Sequence, residues 1–219
     1  MLYIYWMVNL LFLFPIITFW HSLANEITKY KSIDTANNSI SFLHCLLYIV
    51  HYHYEYNLDY MLHISIGYYI YDLLYQIKMV SRYKTSTINE LAIHGSFILH
   101  HLFGIYLIIE TFTSDYKMER LAGYNLMEVS NIMMYVSYYI TPTEYGDKRE
   151  NTTIIIVSGL VYFLWYAYFR VVLFSNLIYE NLHPLFELSI LSQTVIAMLY
   201  FMGVAWSCKL LADNVRNII

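Results

Sequence analysis

Two adjacent histidines, His100 and His101, interrupt the apolar stretch "SFILHHLFGIYLII" at residues 96–109. A neutral imidazole can accept or release a proton near neutral pH. It can therefore serve as a general base for an amine nucleophile, or it can carry an acyl group itself. Neighbouring residues on a helix point about 100° apart, so we expect the two histidines to do different jobs.

Two carboxylic acids in other apolar segments are candidate partners for the histidines. Asp72 lies in "GYYIYDLLYQ" and Glu128 in "LMEVSN". Ionisable side chains at membrane depth cost roughly 2.5–3.5 kcal/mol on insertion scales and mark candidate functional sites. The predicted catalytic residues are therefore His100, His101, Asp72 and Glu128, with the acids orienting the histidines or balancing their charge.

Further polar side chains share helix faces with these groups. His94 lies seven positions before His101, and Tyr69 lies three before Asp72, so each pair occupies one helix face. Because lipid offers no hydrogen-bond partner, we expect these faces to point into the protein and to line a cavity. The predicted cavity or lipid-binding residues are Tyr69, His94, Tyr124, Asn131 and Arg170. The alternative for Asp72 and Arg170 is pairing that only joins helices.

Three histidines in a more polar segment, His44, His51 and His53, are assigned structural or interfacial roles. Their "HYHYEY" run ends near an interface, where tyrosine is common. The His-x-His spacing points its two rings to nearly opposite helix faces, and the zinc-protease pattern H-E-x-x-H is absent. We predict no metal site and no bound cofactor.

The composition is that of a membrane protein. Of 219 residues, 59% are hydrophobic and 13% are charged, whereas soluble domains carry about 25% charged residues. The net charge is −4, and lysine and arginine form no cluster, which argues against nucleic-acid binding. We predict an integral membrane protein whose partners are membrane lipids; assembly into a homo-oligomer is left open.

Seven segments are candidates for membrane-spanning helices, which need about 20 mostly apolar residues. They cover residues 2–20, 38–56, 58–80, 89–112, 120–140, 152–177 and 187–211. Nine of the twelve lysines and arginines fall on one side of these segments, Lys117 and Arg120 fall on the other, and Arg170 lies inside the sixth. The positive-inside rule then puts the C-terminus in the cytosol. The predicted fold is all-α, a multi-pass transmembrane bundle of about seven helices around a membrane-embedded cavity.

An ordered set of short motifs resembles the TLC-domain family, which includes the ceramide synthases. The motifs are "SFLH" at 41–44, "GYYIYDLL" at 67–74, "LHHLFG" at 99–104, "LMEVSN" at 126–131, "FLWYAYFR" at 163–170 and "VAWSCKL" at 204–210. The likeness is greatest to the small TLC-domain proteins without further domains. It implies a TLC domain over 38–211, after a first span and cytosolic loop over 1–37 and before a short cytosolic tail over 212–219.

The resemblance also implies a location and a chemistry. Proteins of this family usually lie in the endoplasmic reticulum, so we expect that membrane or a host internal membrane. In ceramide synthases a histidine pair, matched here by His100 and His101, is implicated in transferring an acyl group from acyl-CoA to a sphingoid-base amine. Acyl-CoA would then be a co-substrate.

The chain departs from the synthases just before Glu128. The first three fixed positions of their H-D-x-x-D-x-x-L-E stretch fall here on Arg120, Leu121 and Tyr124, so both aspartates are missing. We therefore favour a non-catalytic role in lipid binding or lipid homeostasis. The alternative is an acyl-CoA-dependent N-acyltransferase of the ceramide-synthase type. A cargo-sorting receptor ranks third, since the tail "KLLADNVRNII" carries no dilysine signal.

Overall fold

The computed structural model describes residues 2–54, 57–82, 88–112, 117–140 and 152–218. These ranges are helical almost throughout, and no strand occurs within them. The predicted all-α class is therefore confirmed.

The helices overlap the seven predicted segments, but their bounds differ by several residues and the short helix over Leu182–Glu187 is additional. They are α1 (Leu2–Thr28), α2 (Ile33–His53), α3 (Leu58–Arg82), α4 (Ile88–Thr111), α5 (Lys117–Ile140), α6 (Thr152–Ala167), a π-helical turn (Tyr168–Leu173), α7 (Phe174–Glu180), α8 (Leu182–Glu187) and α9 (Ile190–Ile218). The chain runs from α6 through the π-helical turn into α7 without a break. The largest differences from prediction are α1, which continues to Thr28, and α9, which extends to Ile218.

Side-chain caps set where two of these helices begin. Ser32 precedes α2, and its Oγ accepts a hydrogen bond from the Thr35 backbone N–H at 3.1 Å. Asn57 precedes α3 with a φ of 43°, a conformation that asparagine tolerates better than most residues. Its Oδ1 accepts from the Tyr60 backbone N–H. Each cap satisfies a backbone donor that the first helical turn leaves without an intrahelical acceptor.

The helices form two compact units, residues 1–115 and residues 116–219. In the first unit, α3 packs against α1, α2 and α4. Its approach to α1 is so close that a Cβ at Gly67 would come within 2.5 Å of Ile16 Cγ2. The largest apolar side chains of this core are fully buried; they are Trp20, Ile40, Met61, Leu62 and Ile108.

In the second unit, α6 packs against both α5 and α9. Trp165 Nε1 on α6 donates to the Val129 carbonyl of α5 at 2.7 Å. Nearer the start of α6, Asn214 Nδ2 on α9 donates to the Gly159 carbonyl at 3.1 Å. Side chains thus join α6 to its two neighbours by hydrogen bonds to backbone carbonyls.

The helices α2, α3 and α4 bury polar side chains beside their apolar core and also leave large apolar side chains exposed. Their buried polar residues include Asn37, Ser41, His44, Ser65, Asp72, Gln76 and His101. Their exposed large apolar residues include Leu43, Leu46, Val50, Leu74, Ile77, Leu99 and Leu102. Helices on the surface of a soluble protein turn their apolar face inward.

Two helices in the described part of the chain are long and apolar enough to cross a membrane, over Thr153–Glu180 and Ile190–Arg216. The first contains the π-helical turn. Both expose many large apolar side chains, among them Val161, Leu164 and Phe201. This is weak support, from length and composition, for a membrane protein.

Candidate functional site

The Asp72 carboxylate lies at the centre of a buried polar cluster in the first unit. Asn37 Nδ2 on α2 donates to Oδ1 at 2.9 Å, and Gln76 Nε2, one turn further along α3, donates to Oδ2 at 3.4 Å. His101 on α4 places Nδ1 3.1 Å from Oδ2. Three helices therefore meet at one carboxylate, which supplies the partners that a buried charged group needs. We call Asn37, Asp72, Gln76, His101 and their ring neighbour Tyr69 the Asp72 cluster.

The imidazole of His101 is fixed by Asp72 and by Tyr69. The contact between His101 Nδ1 and the Asp72 carboxylate is short, but its geometry is not that of a hydrogen bond. The interaction is therefore mainly electrostatic. The ring of Tyr69 stacks on the His101 ring at 5.1 Å between centroids and 30° between planes. With Asp72 at Nδ1, the ring nitrogen that would act as a base or nucleophile is Nε2.

A glycine on α4 gives Tyr69 the space to reach His101. A Cβ added at Gly104 would lie 2.9 Å from Tyr69 Cε2, closer than such contacts occur. Gly104 follows His101 by three residues and so lies on the same side of α4. The glycine of the "LHHLFG" motif, Gly104, thus contributes to the site by leaving space for the Tyr69 ring.

The orientation of Gln76 makes His94 Nδ1 the donor in their hydrogen bond. Because Nε2 of Gln76 donates to Asp72, its Oε1 is the acceptor for His94 Nδ1, which lies 2.8 Å away. His94 therefore carries a proton on Nδ1. His94 and His101 lie on one face of α4, as predicted, because both contact the α3 face that carries Asp72 and Gln76.

His100 lies beside the cluster rather than in it. Its ring meets the ring of His101 edge-on, with centroids 5.5 Å apart. It is half-buried, whereas His101 is buried. The two histidines therefore take different positions, as their angular separation predicts, and His101 is the one that faces Asp72.

A second group of polar contacts in the first unit was not predicted as part of a site. His44 Nε2 and Ser65 Oγ are 3.0 Å apart, and the Tyr68 ring stacks on His44 at 4.0 Å. The Tyr68 hydroxyl donates to Ser41 Oγ at 2.8 Å. One signal could have revealed this group and the role of Asn37. Asn37, Ser41 and His44 recur at intervals of four and three residues, which is one face of α2.

Arg170 is the buried cation of the second unit, and the π-helical turn carries it. Its Nε donates to Ser130 Oγ on α5 at 2.8 Å. Its Cζ lies over the Tyr166 ring, 5.6 Å from the centroid. Tyr162 meets Tyr166 edge-on, with ring centroids 5.9 Å apart. Sequence reasoning did not identify Ser130.

The remaining predicted residues lie on α5. Glu128 and Tyr124 are buried, and Asn131 is half-buried. The nine predicted residues thus divide between the two units. The first contains Tyr69, Asp72, His94, His100 and His101, and the second contains Tyr124, Glu128, Asn131 and Arg170.

Fold and site together define a class: an all-helical protein with two membrane-length helices and buried polar clusters beneath apolar outer faces. No protein-family model, curated protein or solved structure gives a significant match to this chain. The resemblance to the TLC-domain family therefore stays a prediction from the motifs quoted above.

Proposed function

We propose that this chain is a multi-pass membrane protein of about seven spans that binds membrane lipids through its buried polar clusters. The observation that carries the proposal is the burial of polar side chains on helices whose outer faces are apolar. In this proposal it is a TLC-domain protein of the endoplasmic reticulum or a host internal membrane, with its C-terminus in the cytosol.

The lengths of α2, α3 and α4 support a larger number of spans than mean hydropathy alone indicates. The shortest of the three, α2, has 21 residues and is therefore about 31 Å long, close to the roughly 30 Å of bilayer hydrocarbon. Inward-facing polar residues lower the mean hydropathy of these helices. Lipid, however, would meet only their outer faces, where Leu43, Leu74 and Leu99 are exposed.

A role in binding rather than catalysis agrees with the residues before Glu128. Leu121 and Tyr124 stand where ceramide synthases have aspartates, and both are buried in the second unit. The Asp72 cluster supplies polar groups that would interact with a lipid head group or amide. Lipid binding or lipid homeostasis is accordingly our first candidate.

Acyl transfer is the second candidate, and the contact between Asp72 and His101 favours it. In that reaction His101 Nε2 would remove a proton from a sphingoid-base amine as the amine nitrogen attacks the thioester carbonyl of acyl-CoA. The C–N bond forms, the C–S bond breaks, and the coenzyme A thiolate takes the proton back from the imidazolium. Asp72 would orient the ring and balance its positive charge.

Lipid extraction tests the first candidate. The protein is purified in a mild detergent from membranes washed with carbonate, and the co-purifying lipids are quantified by mass spectrometry. We expect a defined lipid at a fixed ratio to protein, reduced in Asp72→Asn and retained in Asp59→Asn, which alters an exposed acid on the same helix. Release of the protein by carbonate, or only bulk lipid in its natural proportions, would refute the proposal.

An acyl-transfer assay tests the second candidate. The protein is incubated with a sphingoid base and acyl-CoAs of several chain lengths, and amide products are measured. The hypothesis requires a product that disappears in His101→Ala and persists in His183→Ala, whose ring is exposed. If the wild-type protein makes no amide with any acyl-CoA while specific lipid still co-purifies, the acyltransferase is ruled out and lipid binding stands.

A further inference from the structure

Arg170 is deeply placed in the second unit. It is 6% exposed and lies ten residues before Glu180, the end of the apolar helix that starts at Thr153. Ten residues of helix correspond to about 15 Å. The guanidinium is therefore far from either end of that helix.

Among the described residues of the second unit, no ion pair joins Arg170 to a carboxylate. Nε donates to Ser130 Oγ, and the face of the Tyr166 ring lies below Cζ. No described residue accepts a hydrogen bond from Nη1 or Nη2. A buried charge is normally paired, and these two contacts are to a neutral hydroxyl and an aromatic ring rather than to a carboxylate.

The buried acid of α5 does not supply the pairing. Glu128 stands two positions before Ser130, which is about 200° around the helix. No ion pair joins it to Arg170 in the described structure. The serine that contacts the arginine thus faces away from the glutamate on the same helix.

Two backbone features lie next to the Arg170 side chain, a π-helical turn and a glycine. Its position within Tyr168–Leu173 places it in a π-helical turn, a feature that occurs frequently at functional sites. On α9, Gly203 lies against the stem of Arg170, where a Cβ would make ordinary contacts, 3.4 Å from Arg170 Cβ and 3.7 Å from its Cδ. Ser130 fixes Nε and leaves the two terminal nitrogens as a fork, the geometry that matches a carboxylate or phosphate.

We infer that Arg170, held by Ser130 and Tyr166, is the recognition site for the oxyanion head group of an acidic membrane lipid, a carboxylate or a phosphate. The inference rests on the proposed lipid binding and adds the class of lipid. The bound oxyanion would supply a negative charge that neither Ser130 nor Tyr166 provides.

Binding titrations test this inference. Protein in a neutral detergent is titrated with oleic acid, phosphatidic acid and phosphatidylcholine of matched chains, and with inorganic phosphate, with bound ligand counted by native mass spectrometry. We expect at least one acidic lipid to bind about tenfold more tightly than phosphatidylcholine. Arg170→Gln should lose this preference. Arg216→Gln, which removes an exposed arginine of α9, should keep it.

Each other outcome overturns a distinct statement. Equal affinity for acidic and neutral lipids, or a preference that survives Arg170→Gln, refutes the Arg170 site and leaves lipid binding intact. No binding of any lipid refutes the proposed function itself. Inorganic phosphate that binds as tightly as phosphatidic acid refutes a lipid as the source of the anion. If Arg170→Gln does not fold, Arg170→Lys decides, because it keeps the charge, loses the fork and should lower the preference.

Discussion

Asp72 on α3 and His101 on α4 approach to 3.1 Å, between Oδ2 and Nδ1, with both side chains almost completely buried. The two residues are 29 positions apart in sequence and belong to helices that pack along their length. Removing one member of a buried polar pair leaves the other without its partner, and this costs more than the pair contributes as a whole. The pair therefore bears on stability as well as on any chemistry.

Replacing Asp72 with asparagine should destabilise the first unit. The new amide would turn an N–H group towards the donors of Asn37 and Gln76. We expect a loss of about 1–3 kcal/mol, measured as the free energy of unfolding in mixed micelles. Asp59→Asn should change it by less than about 0.5 kcal/mol. A loss of equal size in both variants would contradict the cluster.

Alanine at Gly104 should also destabilise the protein, because its Cβ would press on the Tyr69 ring. Overpacking of this kind costs about 1–3 kcal/mol. Gly95→Ala is the control on the same helix, since a Cβ there meets nothing within 4 Å. Gly95→Ala reduces the backbone freedom of the unfolded chain, and this should stabilise the helix by about 0.5–1 kcal/mol.

A double variant tests whether the tyrosine is the cause. Tyr69→Val removes the ring that Gly104→Ala would strike. The cost of the alanine should therefore be smaller in the Tyr69→Val background than in the wild type. If the stability losses of Gly104→Ala and Tyr69→Val simply add, the cost of the alanine does not come from contact with the Tyr69 ring.

A charge on the outer face of α3 distinguishes lipid from water at that face. Leu74 is 56% exposed. If lipid surrounds it, Leu74→Asp should cost roughly 2.5–3.5 kcal/mol, whereas an exposed position in water would tolerate the change within about 0.5 kcal/mol. Unfolding in phospholipid bicelles measures the difference. Tyr60→Asp, equally exposed but in the first turn of α3, should be tolerated.

The contact of Asn214 with the Gly159 carbonyl should contribute to the pairing of α6 with α9. Asn214→Ala removes that hydrogen bond and one to the Leu210 carbonyl of its own helix. We expect a loss of about 0.5–1.5 kcal/mol in the unfolding free energy. Asn176→Ala, at an exposed position on α7, should leave stability unchanged; a similar loss there would rule out the contact as the cause.

Much of the first unit could be predicted from helical spacing. Tyr69 and Asp72 were expected on one face of α3, and His94 with His101 on one face of α4, and these two faces do meet. Periodicity along one helix is a local property, so the sequence reveals it directly.

The partners across helices could not be predicted in the same way. Whether His100 or His101 faces Asp72 depends on the rotation of α4 about its axis, which packing against α3 decides. Asn37 and Ser130 are small polar residues whose roles follow from what lies opposite them. The π-helical turn at Arg170 likewise has no signature in a pattern of period 3.6.

The π-helical turn has a consequence for the length of the chain. Its hydrogen bonds close over five residues instead of four, so Tyr168–Leu173 holds about one residue more than an α-helix would need for the same turn. Deleting one residue there would let α6 continue into α7 as a regular helix. It would also turn every residue beyond the deletion by about 100° relative to those before it. The extra residue thus sets the rotation of α7 relative to α6, and a related chain one residue shorter at this point should present other side chains at the position of Arg170.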